Sequence, residues 1–267
     1  MLHYRRYDLD EAADWVVFVH GAGGSSSIWH RQLRAFSAEH NVLLVDLRGH
    51  GDSQRAEEIA RLQRYTFEEI AREVVEVLDE ARIASAHFVG ISLGSIVIRT
   101  IGEIAPGRVR SMLLGGAIVR LDVRSRFLVQ SGSALKRFVP FMWLYKLFAW
   151  IIMPRRRHRT SRLIFVNEAR RVARREFLRW YRMTGEVNPL LRFYRERDLG
   201  VPTLYLMGAE DHLFLPPVRR LVAAQPSAEL AILPDSGHVV NVDQPDVFNR
   251  LALAFIARIS RPAAVAA

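Results

Sequence analysis

No cysteine occurs among the 267 residues. Disulfides, thiolate metal sites and a cysteine nucleophile are therefore excluded. Long apolar runs are missing too. The most apolar stretch, residues 138–154 (FVPFMWLYKLFAWIIMP), carries Lys146, is interrupted by proline, and falls short of the roughly 20 apolar residues that a bilayer-spanning helix needs. The first residues, MLHYRRYDLDEAADW, hold no apolar core of signal-peptide length ahead of a small-residue cleavage site, so an intracellular, cytoplasmic protein is expected. Acidic residues are scarce in one region. Residues 120–200 contain 20 Lys+Arg against 6 Asp+Glu, which leaves 18 against 22 for the rest of a chain whose formal net charge is +10. Such asymmetry points to two structural units that serve different surroundings.

What is present describes a globular chain, with 50% hydrophobic and 25% charged residues. Strand-like runs stand at WVVFV (15–19), VLLVD (42–46), HFV (87–89), SMLLGG (111–116), TLYLM (203–207) and ELAIL (229–233). Helical spacing of apolar residues covers roughly 26–38, 66–82, 93–105, 215–224 and 245–259. Strands that alternate with helices of this length predict an α/β fold: a mostly parallel sheet with helices on both faces. The alternation breaks over 120–200, where helical patterns run without a convincing strand and Pro140, Pro154 and Pro189 cut them into shorter pieces. The expected organisation is a core domain of residues 1–119 and 201–267 and a helical lid of residues 120–200. Within that lid, the run 161–183 places Leu163, Val166, Ala173, Phe177 and Trp180 roughly along one stripe.

The stretch VGISLGS (89–95) puts Ser92 between a strand and a helix. A corner that sharp forces unusual backbone angles on its central residue and crowds the backbone around it, so the flanking positions must be small, as Gly90, Gly94 and Ser95 are. Three further motifs accompany it: HGAGG at 20–24, DLRGHGDS at 46–53, and the pair GAED and SGH that ends at His238. Alone, G-x-S-x-G is a weak signal; four motifs in this order between these strands are specific. On them the chain resembles the α/β-hydrolase superfamily, in particular its single-domain members with a helical cap.

The resemblance implies that Ser92 is a nucleophile, His238 its general base and Asp211 the acid that orients the imidazole. It implies an oxyanion hole from the backbone N–H groups of Ala22 and Leu93. Trp29, Phe141 and Trp143 are expected to line the substrate pocket, and His20 and His50 to hold backbone by hydrogen bonds. Glu210 and Asp235 lie near the acid and base positions, and an acid after the preceding strand would have to come from Asp122. Asp46 and Asp52 read as loop-shaping residues.

The expected activity is hydrolysis of a carboxylic ester or thioester with an apolar acyl or aromatic group, without cofactor or metal. A hydrolase of carbon–carbon bonds, a perhydrolase and a low-turnover ligand receptor use the same residues on the same fold. The basic aromatic lid suggests either packing on the core or weak association with an anionic membrane surface. Nucleic acid is not an expected partner, because the basic segment lacks a recognised reading motif.

Overall fold

The computed structural model describes residues 1–56, 65–121, 141–172, 174–185 and 187–261. Its strands are β1 (Tyr4–Tyr7), β2 (Trp15–Val19), β3 (Asn41–Val45), β4 (Ala86–Ile91), β5 (Val109–Gly115), β6 (Thr203–Gly208) and β7 (Ala228–Leu233). They form one sheet in the order β1-β3-β2-β4-β5-β6-β7. Only β1 runs antiparallel, pairing Tyr4 with Val45; the other pairs are parallel, as in Val16 with Val42 and Val17 with Phe88. Every residue of β3 and β4 is buried, as the apolar runs VLLV and FVGI within them require of strands covered on both sides.

The core helices are α1 (His30–Phe36), α2 (Phe67–Glu80), α3 (Leu93–Ile104), then α8 (Leu215–Val222), α9 (Val240–Asp243) and α10 (Pro245–Ser260). Thr66 caps α2 by accepting from Glu69 N–H, and Pro245 opens α10, where the missing N–H costs nothing. α1 packs with α10, and α2 with α3, on opposite faces of the sheet. Between β5 and β6 lie α4 (Phe141–Ile152), α5 (Arg159–Ala169), α6 (Arg174–Gly185) and α7 (Asn188–Glu196). The single helical run expected over 161–183 is thus two helices. Leu163 on α5 is 52% exposed while Trp180 on α6 is buried, so they do not share one buried stripe, and Ala173 lies outside the described residues.

This topology fixes where a site can form. β2 leads to α1 on one face, while its neighbour β4 leads to α3 on the other. The loops at their carboxyl ends therefore meet at the switch point where open α/β sheets place their ligands.

Candidate active site

Ser92 joins β4 directly to α3 with φ 53° and ψ −118°, a conformation that L-residues rarely adopt. The surroundings hold it there. Ser92 N–H donates to Gly115 O on β5 at 2.9 Å, and the Ser95 hydroxyl donates to Ser92 O at 2.5 Å while accepting from Ile118 N–H at 3.2 Å. Gly94 is obligatory for a second reason: a Cβ there would overlap the carbonyl oxygens of Val19 and His20, the end of β2. The close approach of strand, turn and helix thus explains the small residues around the serine.

Two side chains from distant loops converge on it. His238, in the loop after β7, places Nε2 2.8 Å from Ser92 Oγ and Nδ1 2.8 Å from Asp211 Oδ2, and Asp211 follows β6. The Asp211 carboxylate is buried and also accepts from Phe214 N–H at 3.1 Å. The Phe214 ring lies 4.9 Å from the imidazole and covers it from one side. Nothing in the spacing of GAEDHLF marked that residue; its role depends on how the loop turns back. Glu210 and Asp235 face elsewhere. Glu210 pairs with Arg155 at 2.7 Å and its carboxylate lies 2.8 Å from His158 Nε2, while Asp235 pairs with Arg157. Asp122 lies outside the described residues.

The HGAGG loop lies against this corner. A Cβ on Gly21 would stand 3.1 Å from Ser92 Cβ and 3.7 Å from Leu93 N, which brings Ala22 to the same rim. Leu93 is the first residue of α3, so its N–H has no acceptor within the helix. His20 and His50 stitch this loop to DLRGHGDS. His20 Nε2 accepts from Leu47 N–H at 2.9 Å and His50 Nε2 accepts from Gly23 N–H at 3.0 Å, so both rings must be neutral on those atoms. Burial drives the His50 pKa down to about 3, with the nearby His20 adding to the shift, and burial likewise lowers that of His20. Asp46 accepts from Ser26 N–H and Asp52 N–H. Asp52 itself differs from expectation: its carboxylate is exposed and pairs with Arg5 at 3.2 Å.

The helices between β5 and β6 dock on each of these loops through polar contacts that the sequence did not disclose. The buried Tyr145 hydroxyl of α4 donates to Ala22 O at 3.3 Å. Its ring stacks on Phe165 at 4.6 Å. Ser25 donates to Glu168 of α5 at 2.6 Å, Trp180 Nε1 of α6 to Arg48 O at 3.1 Å, and Tyr65 to Glu176 at 2.6 Å. The segment before α5 puts the buried His158 ring against Gly237, next to His238 in the chain.

The residues expected to line the pocket are placed otherwise. Trp29 is fully buried, 4.9 Å from Phe18 and 6.5 Å from Phe248, and so packs the core between β2 and α10. Trp143 is 68% exposed and faces outward from α4. The Phe141 side chain lies outside the described residues. A small cleft opens behind the corner rather than over Ser92 Oγ, lined by Ser95, Leu114, Ile118, Tyr194 and Tyr205 among others. For a metal, among the described residues His3, Asp46 and Asp52 bring ligand atoms within 4.8 Å of one another. Asp46 is already satisfied by backbone N–H groups and Asp52 by Arg5, so the group reads as a structural cluster.

Comparison with known proteins agrees with this architecture. The model of the Alpha/beta hydrolase family matches residues 16–251. A relative in Azorhizobium caulinodans that carries the name carbamate hydrolase RutD is 31% identical, with 96% of each chain covered. Among solved structures, the enol-lactonase from Burkholderia xenovorans LB400 superposes with a TM-score of 0.78 at 23% identity, covering 96% of each chain. MenH from S. aureus does so at 0.79 and 19% identity, covering 98% of this chain and 100% of its own.

Proposed function

The chain belongs to the alpha/beta hydrolase family, and from that premise we propose that it cleaves a carboxylic ester or thioester with an apolar acyl or aromatic group through an acyl-enzyme on Ser92. The observation that carries the reading is the pair of 2.8 Å contacts that link Ser92 Oγ to His238 and His238 to the buried Asp211. In this reading His238 Nε2 takes the hydroxyl proton as Oγ attacks the carbonyl carbon. Asp211 holds the Nδ1 proton in place and stabilises the imidazolium.

The tetrahedral oxyanion is received by the N–H groups of Ala22 and Leu93, each such donor being worth about 3 kcal/mol of barrier in comparable sites. The imidazolium then protonates the departing alcohol or thiol. Water, deprotonated by the same nitrogen, releases the acid and restores Ser92. The helices between β5 and β6 act as the lid, and the apolar composition of that segment over residues 138–154 favours an apolar acyl group.

The name of the Azorhizobium relative favours a second reading, hydrolysis of a carbamate, whose carbonyl would be attacked by the same serine. Initial rates on p-nitrophenyl esters of graded acyl length, a thioester and a carbamate, each with the wild type and Ser92→Ala, separate the readings. The ester reading expects the highest kcat/KM on an ester or thioester with a chain-length optimum, and loss of at least about 10⁴-fold in the variant. A preference for the carbamate selects the second reading. An adduct on Ser92 without turnover points to the ligand-receptor reading or to a substrate of another kind.

A further inference from the structure

α4 has two unlike apolar faces. One, with Tyr145, Ala149 and Ile152, is buried against the rest of the protein. The other carries Trp143, Leu147 and Trp150 at 68%, 52% and 60% exposure. Their spacing of four and three residues sets them in one row along the helix, about 10 Å long. Large apolar side chains exposed together in this way mark a contact surface.

The chain that forms the row and follows it carries charge of a single sign. Residues 141–167 contain Lys146, Arg155, Arg156, Arg157, Arg159 and Arg162 and no Asp or Glu. Arg155 and Arg157 are paired with Glu210 and Asp235. Lys146 lies 5.7 Å from the Trp143 ring, and among the described residues Lys146, Arg156 and Arg159 have no carboxylate partner.

We propose that this face of α4, with Lys146 beside it and the arginines that follow it in the chain, docks on an anionic lipid bilayer. The inner face of α4 is anchored in the protein, so the outer row meets a flat surface side-on along its length, the posture of an interfacial helix. Tryptophan places an apolar ring in the acyl boundary and its N–H among headgroups, and the arginines meet lipid phosphates. The helix has 12 residues, and no described helix is long and apolar enough to cross a membrane, so the contact is with the surface. A second copy of the chain is disfavoured as occupant because its matching face would bring cation against cation. The inference stands apart from the substrate reading, since none of these side chains touches Ser92, His238 or Asp211.

Co-sedimentation with vesicles of phosphatidylcholine, alone or mixed with phosphatidylglycerol, tests it. The expected result is binding at least about tenfold stronger to the anionic vesicles, weakened by salt. Trp143→Ser/Trp150→Ser and, separately, Arg156→Glu/Arg159→Glu should each lower that binding about tenfold, with thermal melts unchanged because the positions are exposed. Brominated acyl chains should quench tryptophan emission in the wild type and not in the double tryptophan variant. Absence of binding, equal binding to neutral vesicles, or binding that survives the tryptophan substitutions overturns the proposal. So does self-association in solution that the tryptophan variant abolishes, or vesicle-independent capture of an acidic protein by the same face.

Discussion

Tyr145 shows how much of the site is settled by single side chains far from the motifs. Its hydroxyl holds the carbonyl of Ala22, and the peptide units on either side of Ala22 shape the rim beside Ser92. Tyr145→Phe removes one hydrogen bond, a net loss of about 1 kcal/mol. If that bond sets the Ala22 N–H for the oxyanion, kcat should fall about fivefold with KM nearly constant, as steady-state kinetics on one ester will show; an equal change in both would mean the tyrosine only packs. Ser92, Asp211 and His238 could be picked from the sequence because each sits in a short motif at a strand end, and the three do meet. Tyr145 could not. It lies in FMWLYKLFAWII, which is apolar almost all round, so periodicity does not say which aromatic turns inward. The same blindness put Trp143 in the pocket, and Trp29 was misplaced because an aromatic residue next to a motif can pack beneath the loop as easily as beside it.

At the level of elements, the strands of the sheet were legible to within two residues, since buried parallel strands write themselves as unbroken apolar runs. β1 was not among the strand-like runs, because YRRY is short and sets two exposed arginines side by side between its tyrosines. The segment between β5 and β6 was legible as helical and basic, but not its joints. The break between α5 and α6, and the tuck of His158 beneath Gly237, depend on contacts with loops roughly 80 to 143 residues away. That tuck is open to test. A Cβ on Gly237 would stand 2.8 to 3.0 Å from three atoms of a fully buried imidazole. Gly237→Ala should therefore cost about 1–3 kcal/mol and disturb the neighbouring His238, seen as a lower melting temperature and reduced kcat. Adding His158→Ala makes room for the methyl, so the double variant should be more stable than the sum of the two single losses implies. Strict additivity would show that the two residues do not touch.

For the molecule as a whole, buried histidines dictate a response to pH. His87 sits in β4, its Nδ1 2.7 Å from Ser111 Oγ, and burial together with Arg110 drives its pKa down to about 4. With His50 near 3, both stay neutral in the folded chain while the unfolded chain takes up protons near 6.5. The unfolded state thus binds more protons below that pH. Stability is fully present above it and declines as the solution is acidified, by about 1.4 kcal/mol per pH unit for each histidine until its folded pKa is reached. Urea midpoints should fall between pH 7 and pH 5, and His87→Gln should show a shallower decline; a midpoint flat over this range would contradict the neutral assignment.

Location of the acyl group bears most directly on the whole account. After brief exposure to p-nitrophenyl butyrate and an acid quench, mass mapping should find a butyryl group on the peptide containing Ser92. It should be missing in Ser92→Ala and far slower to form in His238→Gln, because the same imidazole that activates the water also activates Ser92 Oγ. Turnover that persists in Ser92→Ala, or an acyl group carried on another residue, would contradict it.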